Sequence, residues 1–154
     1  MISNLEIITT WETKKGTSAD IDSYLLIKPQ NAIINFKNRS FRKGHQKAHF
    51  YKELSNSSSV KNGFEHILLN NFDINDVDLW LNSYSRYPNK LKVKGQVSIN
   101  IDNKATPYFI PFEISKQSKG NDFKHRHKSK AWTNINLHQF FQNIAAEGGI
   151  YDDR

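Results

Sequence analysis

From Leu91 to Ile101 the chain alternates almost without a break. Leu91, Val93, Val97, Ile99 and Ile101 are apolar, Lys92, Lys94, Gln96, Ser98 and Asn100 are polar, and Gly95 is the single gap. A period of two belongs to a strand with one dry face and one wet face, and it excludes a helix over these residues. With Asn103 and Lys104 as the central residues of a turn, Ile101 faces Thr106, Ile99 faces Tyr108, Val97 faces Ile110 and Val93 faces Ile114. The apolar residues of both strands then share one side, and a slip of one residue would turn them all to water. Pro107 and Pro111, four apart, lack their amide donors on the same side of the second strand, so that strand is expected at a sheet edge.

Other segments add to this hairpin. Residues 5–13 are β-branched and aromatic and end at Lys14-Lys15-Gly16, as a strand and turn would. Two apolar runs, 23–28 and 32–36, flank Pro29-Gln30-Asn31 and read as a second hairpin. Val60, Phe64, Ile67 and Leu68 fall at helical spacing, which predicts a helix over 60–70. Asn75 as a cap, with Asp76 and Asp78 after it and Pro88 as a stop, predicts another over 75–86. Asn136 followed by Gln139, with Leu137, Phe140, Phe141 and Ile144 as a stripe, predicts a third over 136–147, ended by Gly148-Gly149. The expected fold class is α+β, an antiparallel sheet of four to five strands with about three helices packed on one face. At 154 residues the chain suits one domain, taken as 1–149 with a loose tail at 150–154. The polar run Ser55–Ser59 reads as a loop.

Composition excludes several chemistries. The absence of cysteine removes disulfides, thiolate metal sites and a cysteine nucleophile. The first residues lack a basic, then apolar, leader, and no run approaches the roughly 18 apolar residues of a membrane span, so a cytoplasmic location without membrane contact is expected. The richness in Asn and Lys suits an AT-rich coding genome such as a phage, plasmid or defence locus.

The positive charge is the functional lead. The formal charge is +7, from 22 Lys and Arg against 15 Asp and Glu. Twelve of the 22 cations fall within 37–52 and 116–130, and Lys90, Lys92 and Lys94 add more from one strand face. Such clustering suits phosphates, whose neutralisation releases counterions. The candidate nucleic-acid contacts are Lys37, Arg39, Arg42, Lys43, His45, Lys47, Lys92, Lys94, Lys124, Arg126, Lys128 and Lys130. Phe41, Tyr51, Phe123 and Trp132 are available to stack on bases.

The sequence leaves RNA versus DNA open. It favours a binding protein over an enzyme. The enzymatic alternative is a metal-independent, toxin-like endoribonuclease in which His125 or His127 moves protons and Lys116 assists. No cofactor is expected. His125 and His127 alone are too few for a zinc site. The nuclease-like trio Asp102, Glu113 and Lys116 fails on spacing, because in the register above Asp102 lies at the turn and Glu113 opposite Lys94. A third reading is a protein-interaction module, an inhibitor or assembly subunit, that docks an acidic or nucleoprotein partner through the edge strand.

Overall fold

The computed structural model describes residues 1–12, 19–54, 62–85, 92–104 and 106–146, with only the backbone described at 52–54 and 62. Ten strands form two antiparallel sheets. They are β1 (Ile2–Glu12), β2 (Asp20–Ile27), β3 (Ala32–Ile34), β4 (Ser40–Lys43), β5 (Gln46–Leu54), β6 (Asn62–Phe72), β7 (Val77–Tyr84), β8 (Val93–Ile101), β9 (Tyr108–Ile114) and β10 (Trp132–Ile135). The larger sheet has the order β4-β5-β6-β1-β8-β9 and the smaller one β10-β7-β2-β3. Among the described residues there is one α-helix, α1 (Leu137–Ala146), and two short 3-10 helices, Ile74–Asp76 and Phe123–Lys128.

The inner faces of the two sheets meet in one apolar cluster. Leu5, Ile7, Ile67, Leu69, Val97 and Ile99 enter it from the larger sheet, and Ile21, Leu25, Ile27, Leu79 and Leu81 from the smaller. Helix α1 adds Leu137, Phe141 and Ile144. The smaller sheet is covered on its outer side as well, because Tyr24, Leu26 and Trp80 pack there with Phe123 and Trp132. The outer face of the larger sheet has no such cover from described residues, and its side chains there are half-buried or exposed.

This architecture overturns the α+β expectation. The described residues are mostly β, with six and four strands instead of four to five, and among them is one α-helix instead of about three. The described part of 60–70 is strand β6, and most of 75–86 is strand β7. Strand β6 points Ile67 and Leu69 inward but Phe64 and Leu68 outward, so its apolar residues occupy both faces and mimic a helical stripe. Its inward Glu65 further hides the alternation. Strand β7 is buried on both faces from Leu79 to Ser83, which erases a period of two. The acidic start seen at Asn75 belongs to a 3-10 turn capped by Asp73, whose carboxylate accepts from the Asn75 amide at 2.9 Å.

Where one face is wet, expectation and structure agree. Val93 pairs with Ile114, Val97 with Ile110 and Ile99 with Tyr108, and β9 is an edge strand. The tight turn sits one residue earlier than expected, at Asp102 and Asn103, both left-handed (φ 51° and 58°), as a two-residue hairpin turn requires. Asp102 also ties the turn to β1: its carboxylate accepts from the Asn4 amide at 2.8 Å, and its own amide donates to the Asn4 carbonyl at 2.7 Å. Strands β2 and β3 form the hairpin expected around Pro29–Asn31. Helix α1 is capped by Asn136, whose side-chain oxygen accepts from the Gln139 amide at 3.0 Å. The turn at Lys14–Gly16, the run Ser55–Ser59, Pro88, Lys90, Gly148-Gly149 and the tail 150–154 lie outside the described residues. No described helix is long and apolar enough to cross a membrane.

Candidate nucleic-acid interface

The β4–β5 hairpin carries the densest cationic group on the open sheet face. Gly44 (φ 59°) allows its turn. Arg42 lies directly opposite Lys47, and both are exposed. Like charges placed across from each other repel, and an anion between them would relieve that cost. Two pockets adjoin the pair. One, of about 390 Å³, is lined by Arg42, Gly44, His45, Lys47, Asn70 and Asn71. Asn71 is itself left-handed (φ 62°) and donates from its side chain to the His45 carbonyl at 2.8 Å, fixing the floor of this cup. The other, of about 420 Å³, places His49 beside Arg42 and Lys47.

Next to this corner, β5 is irregular. Phe50 pairs with Ile67 and Lys52 with His66, so Tyr51 is an extra residue, a bulge. Tyr51 is 63% exposed, and its ring makes edge contacts with two imidazoles, with centroids 6.0 Å from His49 and 5.3 Å from His66. His66 Nε2 lies 3.2 Å from Glu6 Oε2 across the β6–β1 pair, without the alignment of a hydrogen bond. Further along the same face is a hollow of about 620 Å³ bordered by Ile8, Thr10, Phe64, Lys94 and Gln96. Lys47 is level with Asn70 and Asn4, whereas Lys94 is level with Glu12. Eight residues along and three strands across make a diagonal of about 30 Å, at roughly 3.4 Å per residue and 4.8 Å per strand.

The remaining expected contacts are scattered. Lys92 and Lys94, at the far corner, share Glu113 at 3.2 and 3.8 Å, so their charge is partly neutralised within the protein. Arg39 turns its guanidinium over the Phe50 ring at 5.2 Å and donates to the Phe36 carbonyl at 3.0 Å. Lys37 and Lys43 are exposed, Lys37 on the connection from the smaller sheet to the larger. Segment 116–130 lies against the smaller sheet, on the opposite side of the molecule from the open face, as Phe123 and its ring partners require. The two cationic segments come together around a pocket of about 490 Å³ lined by Asn35, Lys37 and Asn38 on one side and Asn121, Asp122 and Phe123 on the other.

Within that second segment, several candidates are structural. Arg126 sits over Phe123 at 4.0 Å and Trp80 at 5.2 Å and donates to the Phe123 carbonyl at 3.0 Å. Trp132 is buried among Tyr24 and Phe123 and is not free to stack on a base. Phe123 is likewise buried, and Phe41 packs against the core, which leaves Tyr51 as the exposed member of the four expected stacking rings. His127 and Trp80 meet at right angles, with centroids 4.9 Å apart, while His125 faces Asp122 at 3.4 Å. The geometry therefore splits this pair rather than bringing both to one substrate. Lys116 is exposed beyond β9, just before Ser118, which is bonded to Ser83 and Ser85. Lys124, Lys128 and Lys130 remain exposed on this side.

Sequence reasoning missed His66 and Glu6. Neither stands in a charged run, and only the antiparallel register of β1, β5 and β6 brings His66 to Tyr51 and Glu6 to His66. Compared with protein-family models, curated proteins and solved structures, the chain matches none.

Proposed function

We propose that the open face of the six-stranded sheet binds single-stranded nucleic acid, with phosphates held at the Arg42–Lys47 corner and bases stacked towards Tyr51 and the hollow beside Phe64. The observation that carries this reading is the bulge that sets an exposed Tyr51 on the same face as the opposed Arg42 and Lys47. Single-strand binders combine a cationic groove with aromatic platforms, and the diagonal of about 30 Å is long enough for a short stretch of backbone within the roughly 4–16 nucleotides such sheets engage. An extended strand is favoured over a duplex because a stacked base pair hides the faces that Tyr51 would meet.

The test is titration of a labelled single-stranded oligonucleotide at several salt concentrations. The double substitution Arg42→Glu, Lys47→Glu should weaken binding and flatten the plot of log affinity against log salt by about 1.4, at roughly 0.7 for each phosphate no longer neutralised. Tyr51→Ala should lower affinity by about tenfold with the salt slope kept, since stacking releases no counterions. Unchanged affinity in both variants overturns the assignment.

A further inference from the structure

The open face carries, beside the proposed phosphate corner, a group of proton-transfer side chains for which binding alone gives no reason. His49 is exposed, Tyr51 meets both it and His66, and Glu6 lies beside His66. His49 lies opposite Leu68, so His66, two residues back on β6, is its diagonal neighbour. Diagonal neighbours on a sheet stand about 7–8 Å apart. That is too far for the imidazoles to bond each other, and with Tyr51 at the third corner of the group a phosphodiester would lie over it from the solvent side, with one imidazole at each end.

We infer that this face cleaves RNA without a metal, with His49 and His66 as the acid and base on either side of a phosphate held by Arg42 and Lys47. The inference rests on the nucleic-acid reading above. Cleavage of this kind needs a base at the 2′-hydroxyl and an acid at the 5′-oxygen, each within about 2.6–3.2 Å of its oxygen, on opposite sides of the phosphorus. His66 takes the 2′-hydroxyl proton on Nδ1, because its Nε2 is enclosed beside Glu6. Glu6 steadies the imidazolium so formed, as the carboxylate of a catalytic triad does. The 2′-oxygen forms its bond to phosphorus, the P–O5′ bond breaks, and His49 gives its proton to the departing 5′-oxygen. The products are a 2′,3′-cyclic phosphate and a 5′-hydroxyl. Proton exchange with solvent then restores both imidazoles. Arg42 and Lys47, which share a pocket with His49, bear the charge that gathers on the phosphate oxygens.

This assignment moves the ribonuclease chemistry from the split pair His125 and His127 to a different pair. His49 and His66 share a neighbour, Tyr51, and a face with the opposed cations.

The experiment incubates the purified protein with a single-stranded RNA oligonucleotide and with the same sequence as DNA, both in EDTA. The DNA lacks the 2′-hydroxyl and reports binding alone. The expected result is RNA cut to cyclic-phosphate ends and DNA bound intact. His49→Ala and His66→Ala should each lose about 100-fold or more in cleavage rate while holding the DNA within about threefold. Glu6→Gln, a positioning change, should lower the rate and displace its pH profile, whereas a purely structural role would lower the melting temperature and leave the profile in place. His49→Gln, at an exposed site, repeats the measurement if His66→Ala does not fold. RNA that is bound yet stays intact overturns the catalytic inference and leaves the binding reading standing. Failure to bind either oligonucleotide overturns both. Undiminished cleavage by the histidine variants places the chemistry elsewhere and overturns the inference as well.

Discussion

Glu65 is the most demanding single residue in the core. It points inward from β6, is almost wholly buried, and accepts the Ser23 amide at 2.6 Å. Burial, and next the nearby Asp22 carboxylate, hold its carboxyl well above the usual range, against the smaller opposing effect of the Ser23 hydrogen bond. A carboxyl whose pKa is raised on folding binds its proton more tightly in the native state. Its contribution is therefore complete below the unfolded pKa of about 4.3 and is lost as pH climbs through the folded value. Glu65→Gln keeps an oxygen for Ser23 and cannot ionise. Melting curves should show the variant gaining on the parent as pH rises above about 4.3, by up to about 1.4 kcal/mol per pH unit until the folded pKa is passed. A difference that stays constant from pH 4 to pH 8 would contradict this account. The same residue contributes to a failure of sequence reading, since an acid at an inward position adds to the outward Phe64 and Leu68 in hiding the alternation of β6.

At the scale of elements, legibility followed hydration. The β8–β9 hairpin could be paired residue by residue because each strand has one dry side, and the cap of α1 was readable because Asn136 acts within its own turn. Strand β7 could not be read, as its two faces meet apolar neighbours supplied by distant parts of the chain, and β6 could not because it carries Phe64 and Leu68 on its open face. The candidate site was half legible for a related reason. Arg42, Lys47, His49 and Tyr51 lie close together in the chain, whereas His66 and Glu6 arrive through pairings that only the finished sheet defines. Gly95, the gap in the alternation, also has an element-level cause. A Cβ there would run into the Thr10 carbonyl of β1 and come within 2.6 Å of the Phe112 ring of β9, so the strand passes closely only with glycine. Gly95→Ala should cost about 1–3 kcal/mol of stability, as overpacking does, and loosen both neighbours of β8; hydrogen exchange along β1 and β9 would register it. Parent-like exchange and melting would show that the close approach is not needed.

Over the whole molecule, composition supplied the amount of charge but not its placement. The cationic segments that the sequence singles out are divided by the fold between the Arg42–Lys47 corner of the open face and the Lys124–Lys130 side, with Lys92 and Lys94 drawn into pairs with Glu113. Charge reversal at Lys124 and Lys128 should thus lower single-strand affinity by less than about threefold, through the weakened general field, and leave the salt slope almost intact. A loss as large as that from reversing Arg42 and Lys47 would move the interface to the other side. The bulge at Tyr51 has a consequence for how such a face can change over generations. Lys47 and His49 before it, and the backbone positions of Lys52 and Leu54 after it, all pair in step with outward residues of β6. Deleting Tyr51 alone would close the ladder with every other pairing kept, so this exposed ring is a detachable insertion, and the two-sheet core behind it is indifferent to its gain or loss.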